Sequence, residues 1–268
     1  MKRARYRWRS AMDAMETFLA YAGRYDTNDA KIHLKIVHTQ AVDAVMERLA
    51  GELGLDGRLR RLAHLCAVYH DIGRFEQLRR YDTFLDHLSV DHAQLGCEVL
   101  CSGGFLDGLS EKDRQMVLKA IANHNRLTVE GGLDEETLLL CRMLRDADKC
   151  DIFRVFATED PRNTTGVCAE EAGQEKISDA VYESLMAHRC VKKEERVSGL
   201  DIWVSFLGFL YDLNFPESLR IVRETSYYKK PFETLKIEDG ETHIRMEKIF
   251  AEAEAYMDEM ERDWRKDR

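Results

Sequence analysis

Two adjacent residues, His70 and Asp71, concentrate more chemistry than any other point in this sequence. They stand in the stretch AVYHDIGRFEQ, residues 67–77, just ahead of Gly73. The run before them, Leu59, Leu62, Ala63 and Cys66, is apolar at helical spacing. It predicts a helix over 57–72, with Gly73 marking its end because glycine readily takes the left-handed conformation that closes a helix. An imidazole and a carboxylate in a last helical turn, beside a buried face, are costly unless they are paired or bound to a cation. Together they are a common donor set for divalent metals. The pair alone could equally be a surface feature or a simple His–Asp hydrogen bond, so the rest of the chain has to decide.

Four further residues of the same chemistry recur at comparable places. His38 interrupts the apolar face of a helix expected over 29–50, whose other members are Leu34, Ala41, Val42, Val45 and Leu49, with Gly51 and Gly54 ending it. Ser89 reads as an N-cap that would put His92 in the first turn of the next helix. Ser110 with Asp113 resembles a capping box, and the helix after it, with Met116, Val117, Ala120 and Ile121, delivers His124 at its end. A long helix from Asp134 to about Phe156 carries the stripe Thr137, Cys141, Leu144, Asp148, Ile152 and Val155. The aspartate in that stripe needs a partner: Arg145, Lys149 or a metal. A lone histidine on an apolar face is usually a core residue. It is the joint occurrence of His38, His70, Asp71, His92, His124 and Asp148 that points to one shared centre, since helices of a bundle can aim such side chains inward. Oxygen and imidazole donors suit Mn, Fe, Co, Ni, Zn or Mg and not a thiolate-bound structural zinc.

The elements that would position these residues are helical. The 268 residues hold only three prolines, apolar content is 44%, and 3.6-residue periodicity dominates, which predicts an all-α chain. No linker or composition shift divides it, so a single helical bundle over 1–268 is expected, with a metal-binding core at about 30–155 and a helical extension over 176–265. A short amphipathic helix is expected over 10–23, with Met12, Met15, Phe18 and Leu19 on one side. Residues 74–87 show no clear period and read as a loop or short helix at the mouth of the site, and 158–174 as a surface loop. Helices follow at 176–189, 198–214 and 217–224. Tyr227, Tyr228, Lys229 and Lys230 lie in a break that reads as a solvated turn or a lid. The last helix, 241–264, carries Met246, Ile249, Phe250, Ala253, Met257, Met260 and Trp264, a stripe for packing on the body or across a homodimer interface.

Net charge is −9, which disfavours a nucleic-acid-binding role. The start, MKRARYRWRS, is basic without the apolar core of a secretory signal. No apolar run approaches the roughly 20 residues that cross a bilayer. Seven cysteines without a CxxC pair suggest reduced thiols and a cytoplasmic setting. His33, His64, His87, His188 and His243 have no partners in the pattern and are expected to be structural or superficial.

The order His … His-Asp … Asp on an all-α scaffold closely resembles the HD-domain superfamily of metal-dependent phosphohydrolases. The segments HDIGRFEQ and RDADKCD, residues 70–77 and 145–151, carry the resemblance. It implies that His38, His70, Asp71 and Asp148 hold one divalent metal. His92 and His124 match the further histidines of binuclear members, in which the aspartate of the pair bridges two ions. The implied activity is hydrolysis of a phosphomonoester or phosphodiester of a small metabolite, a nucleotide foremost, through a metal-activated water. Arg74 is placed in sequence to grip phosphate oxygens, or else to pair with Glu76 or Asp82. Its place is taken by a lysine in the cyclic-dinucleotide enzymes, whose GYP-type signature is also missing here. Two alternatives are a di-iron oxygenase built on the same donors and a non-catalytic metal- or nucleotide-binding module.

Overall fold

A computed structural model describes residues 12–266, and among them every regular element is a helix. The basic start lies outside the described residues, as do the side chains of Met12 and Trp264. Residues up to Asp151 make one compact unit and those from Ile152 another. The boundary falls inside a continuous helix, where no linker marks it in the sequence.

The first unit contains α1 (Met12–Ala22), α2 (Ala30–Glu52), α3 (Gly57–Tyr69), α4 (Ile72–Tyr81), α5 (His92–Gly103), α6 (Glu111–Asn123) and the first part of α7 (Glu135–Thr158). Helix α3 packs on both α2 and α6, and α5 packs on both α4 and α6. The starts are set by side-chain caps. Asp29, Asp56, Asp91 and Ser110 each accept from backbone N–H groups of the first turn of α2, α3, α5 and α6. Side chains such as Leu49, Leu62, Leu65, Ile72, Leu100 and Val117 are buried between the helices. An aromatic group of Phe18, Tyr21, Tyr25, Phe75 and Phe105 seals α1 against this body.

Several boundaries differ from the sequence reading. Helix α2 runs through Gly51 to Glu52, and the left-handed glycine after it is Gly54. The cap of α5 is Asp91, while Ser89 accepts a hydrogen bond from Gln77 instead. Ser110 does cap α6, but the Asp113 carboxylate pairs with Arg58, so the second half of a capping box is not built. Of the two forms expected for residues 74–87, a loop or a short helix, the first part takes the second: Ile72–Tyr81 is helix α4, with Phe75 and Leu78 facing the core while Arg79 and Arg80 pair with Glu76.

Gly73 is the most informative difference. It does not end a helix in the left-handed conformation; it lies in the first turn of α4. A Cβ there would meet the carbonyl oxygen of His92 at 2.2 Å and the amide nitrogen of Gly96 at 2.6 Å. Glycine is required because α4 and α5 touch backbone to backbone, and that contact brings α5, with His92 at its start, beside the His70–Asp71 joint.

In the second unit, α8 (Pro161–Thr164) and α9 (Ala169–Gly173) lie within the stretch expected to be a surface loop, and Cys168 and Ala172 there are buried. They are followed by α10 (Asp179–Met186), α11 (Gly199–Ser205) with a 3₁₀ continuation to Asp212, α12 (Pro216–Thr225), α13 (Lys230–Glu233) and α14 (Gly240–Lys266). Trp203, Phe156, Phe206 and Phe232 pack ring against ring at its centre. Met246, Ile249, Ala253 and Met257 of α14 are buried in this unit, where α14 packs on α10 and α12. Tyr228 is buried and hydrogen-bonds Glu254, which makes it neither a solvated turn nor a free stacking platform. No described helix is long and apolar enough to cross a membrane.

Candidate metal centre

His70 and Asp71 occupy a joint between two helices. Helix α3 stops at Tyr69, His70 keeps helical dihedrals, and Asp71 turns with φ −104° and ψ 13° before α4 begins. Asp71 stands at the N-cap position of α4 but makes no capping hydrogen bond. Its carboxylate is therefore directed elsewhere, into a buried group of imidazoles.

The two oxygens of Asp71 face different pairs of histidines. Oδ2 lies 3.7 Å from His38 Nε2 and 3.6 Å from His70 Nε2. Oδ1 lies 3.4 Å from His92 Nε2 and 3.8 Å from His124 Nε2. Within each pair the Nε2 atoms approach closely, at 3.2 Å for His38 and His70 and 3.1 Å for His92 and His124. Asp148 joins the first pair, with Oδ1 at 3.1 Å from His38 Nε2 and 3.9 Å from His70 Nε2. The fold thus brings all six expected residues together, in two half-sites that share Asp71.

Each ring is held from behind through Nδ1. His70 Nδ1 lies 2.8 Å from the carbonyl of Ala67 and His124 Nδ1 lies 2.7 Å from that of Ile121. A carbonyl only accepts, so the partners assign the proton to Nδ1 in both rings and leave Nε2 as a lone pair. His38 Nδ1 meets Asp151 at 2.6 Å, and His92 Nδ1 meets Asp86 at 2.7 Å. Such outer partners fix the tautomer and orientation of a metal-ligating imidazole.

Charge in the centre is balanced internally. Burial opposes the charge on Asp71, but Lys35, 2.7 Å from Oδ2, together with His70 and His124, outweighs it and holds the carboxyl well below its usual range. Burial likewise opposes the charge on His38, yet the carboxylates of Asp148 and Asp151 prevail and its pKa is pushed up to about 9. Burial dominates at His70, whose pKa falls to about 4, and it also lowers that of His92 against the pull of Asp86. His38 Nε2, His70 Nε2 and Asp148 Oδ1 converge within 3.1 to 3.9 Å of one another. A donor set of imidazole nitrogens and carboxylate oxygens at that point fits a divalent metal ion. His38, His70 and Asp71 could hold one ion, and Asp71, His92 and His124 another.

Residues 36–152 match the sequence profile of the HD domain. They form an HD domain. Comparison with curated proteins and with solved structures returned no match. The HD domain contains the full set of six residues, and HD domains are in general metal-dependent phosphohydrolases, so metal-dependent hydrolase chemistry is what this region suggests. Lys35, just ahead of the matched residues, belongs to the same centre by contact.

Arg74 is held differently from the ion pair with Glu76 or Asp82 that the sequence offered as its alternative role. Its Nη1 donates to Gln77, to the Phe84 carbonyl and to Asp86, at 2.8, 2.6 and 2.9 Å. Its ion-pair partners are thus Asp86 and Asp71, and not Glu76 or Asp82. Its Nε lies 3.5 Å from Asp71 Oδ1 and makes no hydrogen bond. Arg145, considered as a partner for Asp148, donates to backbone carbonyls of the turn that carries His124. His64 and His188 pair with Asp43 and Glu252, as residues outside the centre.

The sequence reading missed Lys35, Asp86 and Asp151. Lys35 and Asp151 each stand three residues from a member of the set, one helical turn from His38 and Asp148, and that spacing was the signal available. Asp86 sits in a 3₁₀ turn (Asp86–Leu88) and gave none. Because Asp151 orients His38, Asp151→Asn is expected to weaken divalent-metal affinity about 10–100-fold. Isothermal titration calorimetry on a variant with an unchanged circular dichroism spectrum measures this.

Proposed function

We propose that this chain is a binuclear metal-dependent phosphohydrolase acting on a small phosphorylated metabolite, a nucleotide foremost. The observation that carries the reading is the split of Asp71: one carboxylate with its two oxygens turned to two separate His pairs. A bridging carboxylate is the economical way to hold two cations side by side. Two divalent ions held there would lower the pKa of water toward about 7 and neutralise charge on phosphate oxygens.

The chain's own residues do the rest. The Nδ1 tethers keep four Nε2 atoms aimed inward without rearrangement. Lys35 and Arg74 put two cationic side chains beside Asp71, and both lie against the Phe84 ring, at 5.5 and 5.6 Å from its centroid. In this reading they meet the phosphate oxygens of the substrate, Lys35 as a mobile point charge and Arg74 through the guanidinium edge not committed to Nη1 acceptors. Burial of the four histidines and Asp71 limits water around the reacting phosphorus and strengthens each of these interactions.

The test is phosphate release from a panel of nucleotides, cyclic nucleotides and phosphomonoesters, with Mn, Co, Ni, Mg or Fe(II) supplied in turn. Metal-dependent release that a chelator abolishes is expected, and the preferred member names the substrate class. No release across the panel from protein shown to carry its metal would refute the reading, and oxygen consumption by an iron-loaded sample would replace it with oxygenase chemistry.

A further inference from the structure

We infer that Arg145 is a positioning residue for the half-site of His92 and His124, deciding whether His124 is aimed at Asp71. The inference rests on the proposed binuclear reading and names a group outside its ligand set. His124 lies where α6 runs out. Its own N–H reaches the Ile121 carbonyl at 3.3 Å, and the N–H of Arg126 reaches that of Asn123 at 3.4 Å, both long for the closing bonds of a helix. No glycine follows closely to take a left-handed cap; the next in sequence is Gly131. A helix end of this kind leaves carbonyl groups needing donors.

Arg145 supplies them from the neighbouring helix. It is buried on α7, and its Nη1 donates to the carbonyls of Asn123 and Arg126 while its Nη2 donates to that of Leu127 at 3.2 Å. One rigid guanidinium thus gathers three consecutive-turn carbonyls around His124. The turn is pinned further by Asn123, whose Oδ1 accepts from Glu130 N–H at 2.9 Å, and by Asn125, which donates to Asp91 at 3.1 Å. Arg145 also stands one helical turn before Asp148. Helix α7 therefore presents Asp148 to His38 and His70 and, through Arg145, fixes the backbone that carries His124. The first half-site meets this turn through His124, whose ring stands edge-on to that of His70 and whose Nε2 faces the other oxygen of Asp71, while His38 and Asp148 are carried by α2 and α7, so loosening the turn should release one ion and spare the other.

The experiment counts ions. The full chain is stripped with chelator, titrated with Co(II), and analysed for bound metal and visible absorption. Wild type, Arg145→Met, Arg145→Lys, His124→Ala and the Arg145→Met/His124→Ala double variant are compared. Wild type should take two ions. Arg145→Met should keep the first with affinity within about threefold of wild type and lose affinity for the second by about 10–100-fold, the scale of an outer-partner deletion. The double variant should bind its remaining ion no more weakly than His124→Ala alone, because Arg145 acts through His124. Arg145→Lys, which can satisfy one carbonyl but not three, should recover part of the second-site affinity and carries the test if Arg145→Met does not fold. The inference is overturned if Arg145→Met retains both ions at wild-type affinity, weakens both equally, or if the double variant binds its ion more than about tenfold more weakly than His124→Ala. A wild-type chain that takes a single ion refutes the binuclear reading itself, an outcome distinct from two ions in wild type and two in Arg145→Met.

Discussion

Asp71→Ala protein should leave purification without its metal and without phosphohydrolase activity. No other carboxylate in the centre faces both histidine pairs, so its loss removes one donor from each half-site at once. The substitution also strands charge. Lys35 loses its 2.7 Å partner while its side chain remains largely buried, and an uncompensated buried cation repels any ion that would settle beside it. Activity should fall by about 10³-fold or more, the scale on which removing one group that stabilises developing charge is felt. Elemental analysis and phosphate release on the same sample check the two losses together. Asp71→Asn keeps the shape and one carbonyl oxygen but not the charge. It should behave like the alanine variant in metal content while melting closer to wild type, which separates a lost site from a lost fold. An alanine variant that holds two ions and still turns over would eliminate the proposed centre.

The second large effect is on stability. Gly73→Ala should destabilise the chain by about 3 kcal/mol or more, at or beyond the usual range for overpacking a well-filled core. The atoms that a new methyl would strike are the carbonyl oxygen of His92, the amide nitrogen of Gly96 and its Cα, and backbone cannot turn aside as a flexible side chain can. Relief requires α4 and α5 to separate, which would carry His92 away from Asp71. Gly96, on the other side of the same contact, gives the control. A Cβ there meets nothing nearer than 3.5 Å, so Gly96→Ala should be neutral or stabilising by up to about 1 kcal/mol, as alanine is favoured in a helix interior. Urea or thermal melts of the two variants decide the matter. Equal melting temperatures would show that the close approach is not a constraint.

This pair of glycines also shows where the sequence was legible and where it was not. His38, Asp148 and the His70–Asp71 pair could be found because each interrupts an apolar helical stripe, and a polar group on a buried face demands an explanation. Gly73 could not be read correctly because the two uses of glycine, a left-handed helix end and a backbone contact, look the same in one dimension. Helix α4 was left undecided between a loop and a short helix for a related reason. Its buried Phe75 and Leu78 are too few to establish a period among Arg74, Glu76, Arg79 and Arg80, and it is the packing on α5 that makes the segment helical. Asp86 was hidden because it sits in a polar stretch and acquires its role only when the turn from Phe84 to Val90 folds back over Arg74, Gln77 and His92. Arg145 stood beside Asp148 in sequence, which suggested an ion pair. On a helix its side chain reaches the end of α6, a neighbour that sequence distance does not disclose.

The tethers on the four imidazoles have a consequence for how the cost of order is distributed. Each ring is already committed to one rotamer by an oxygen at Nδ1, and each is buried. The conformational entropy of those side chains is therefore surrendered when the chain folds, and none of it is left to be lost at the moment of capture. An arriving ion does not recruit its ligands from a mobile ensemble. It exchanges a shell of water for one assembled in advance, and its selectivity is set by how well its radius and preferred geometry match a cage that has little freedom to adapt.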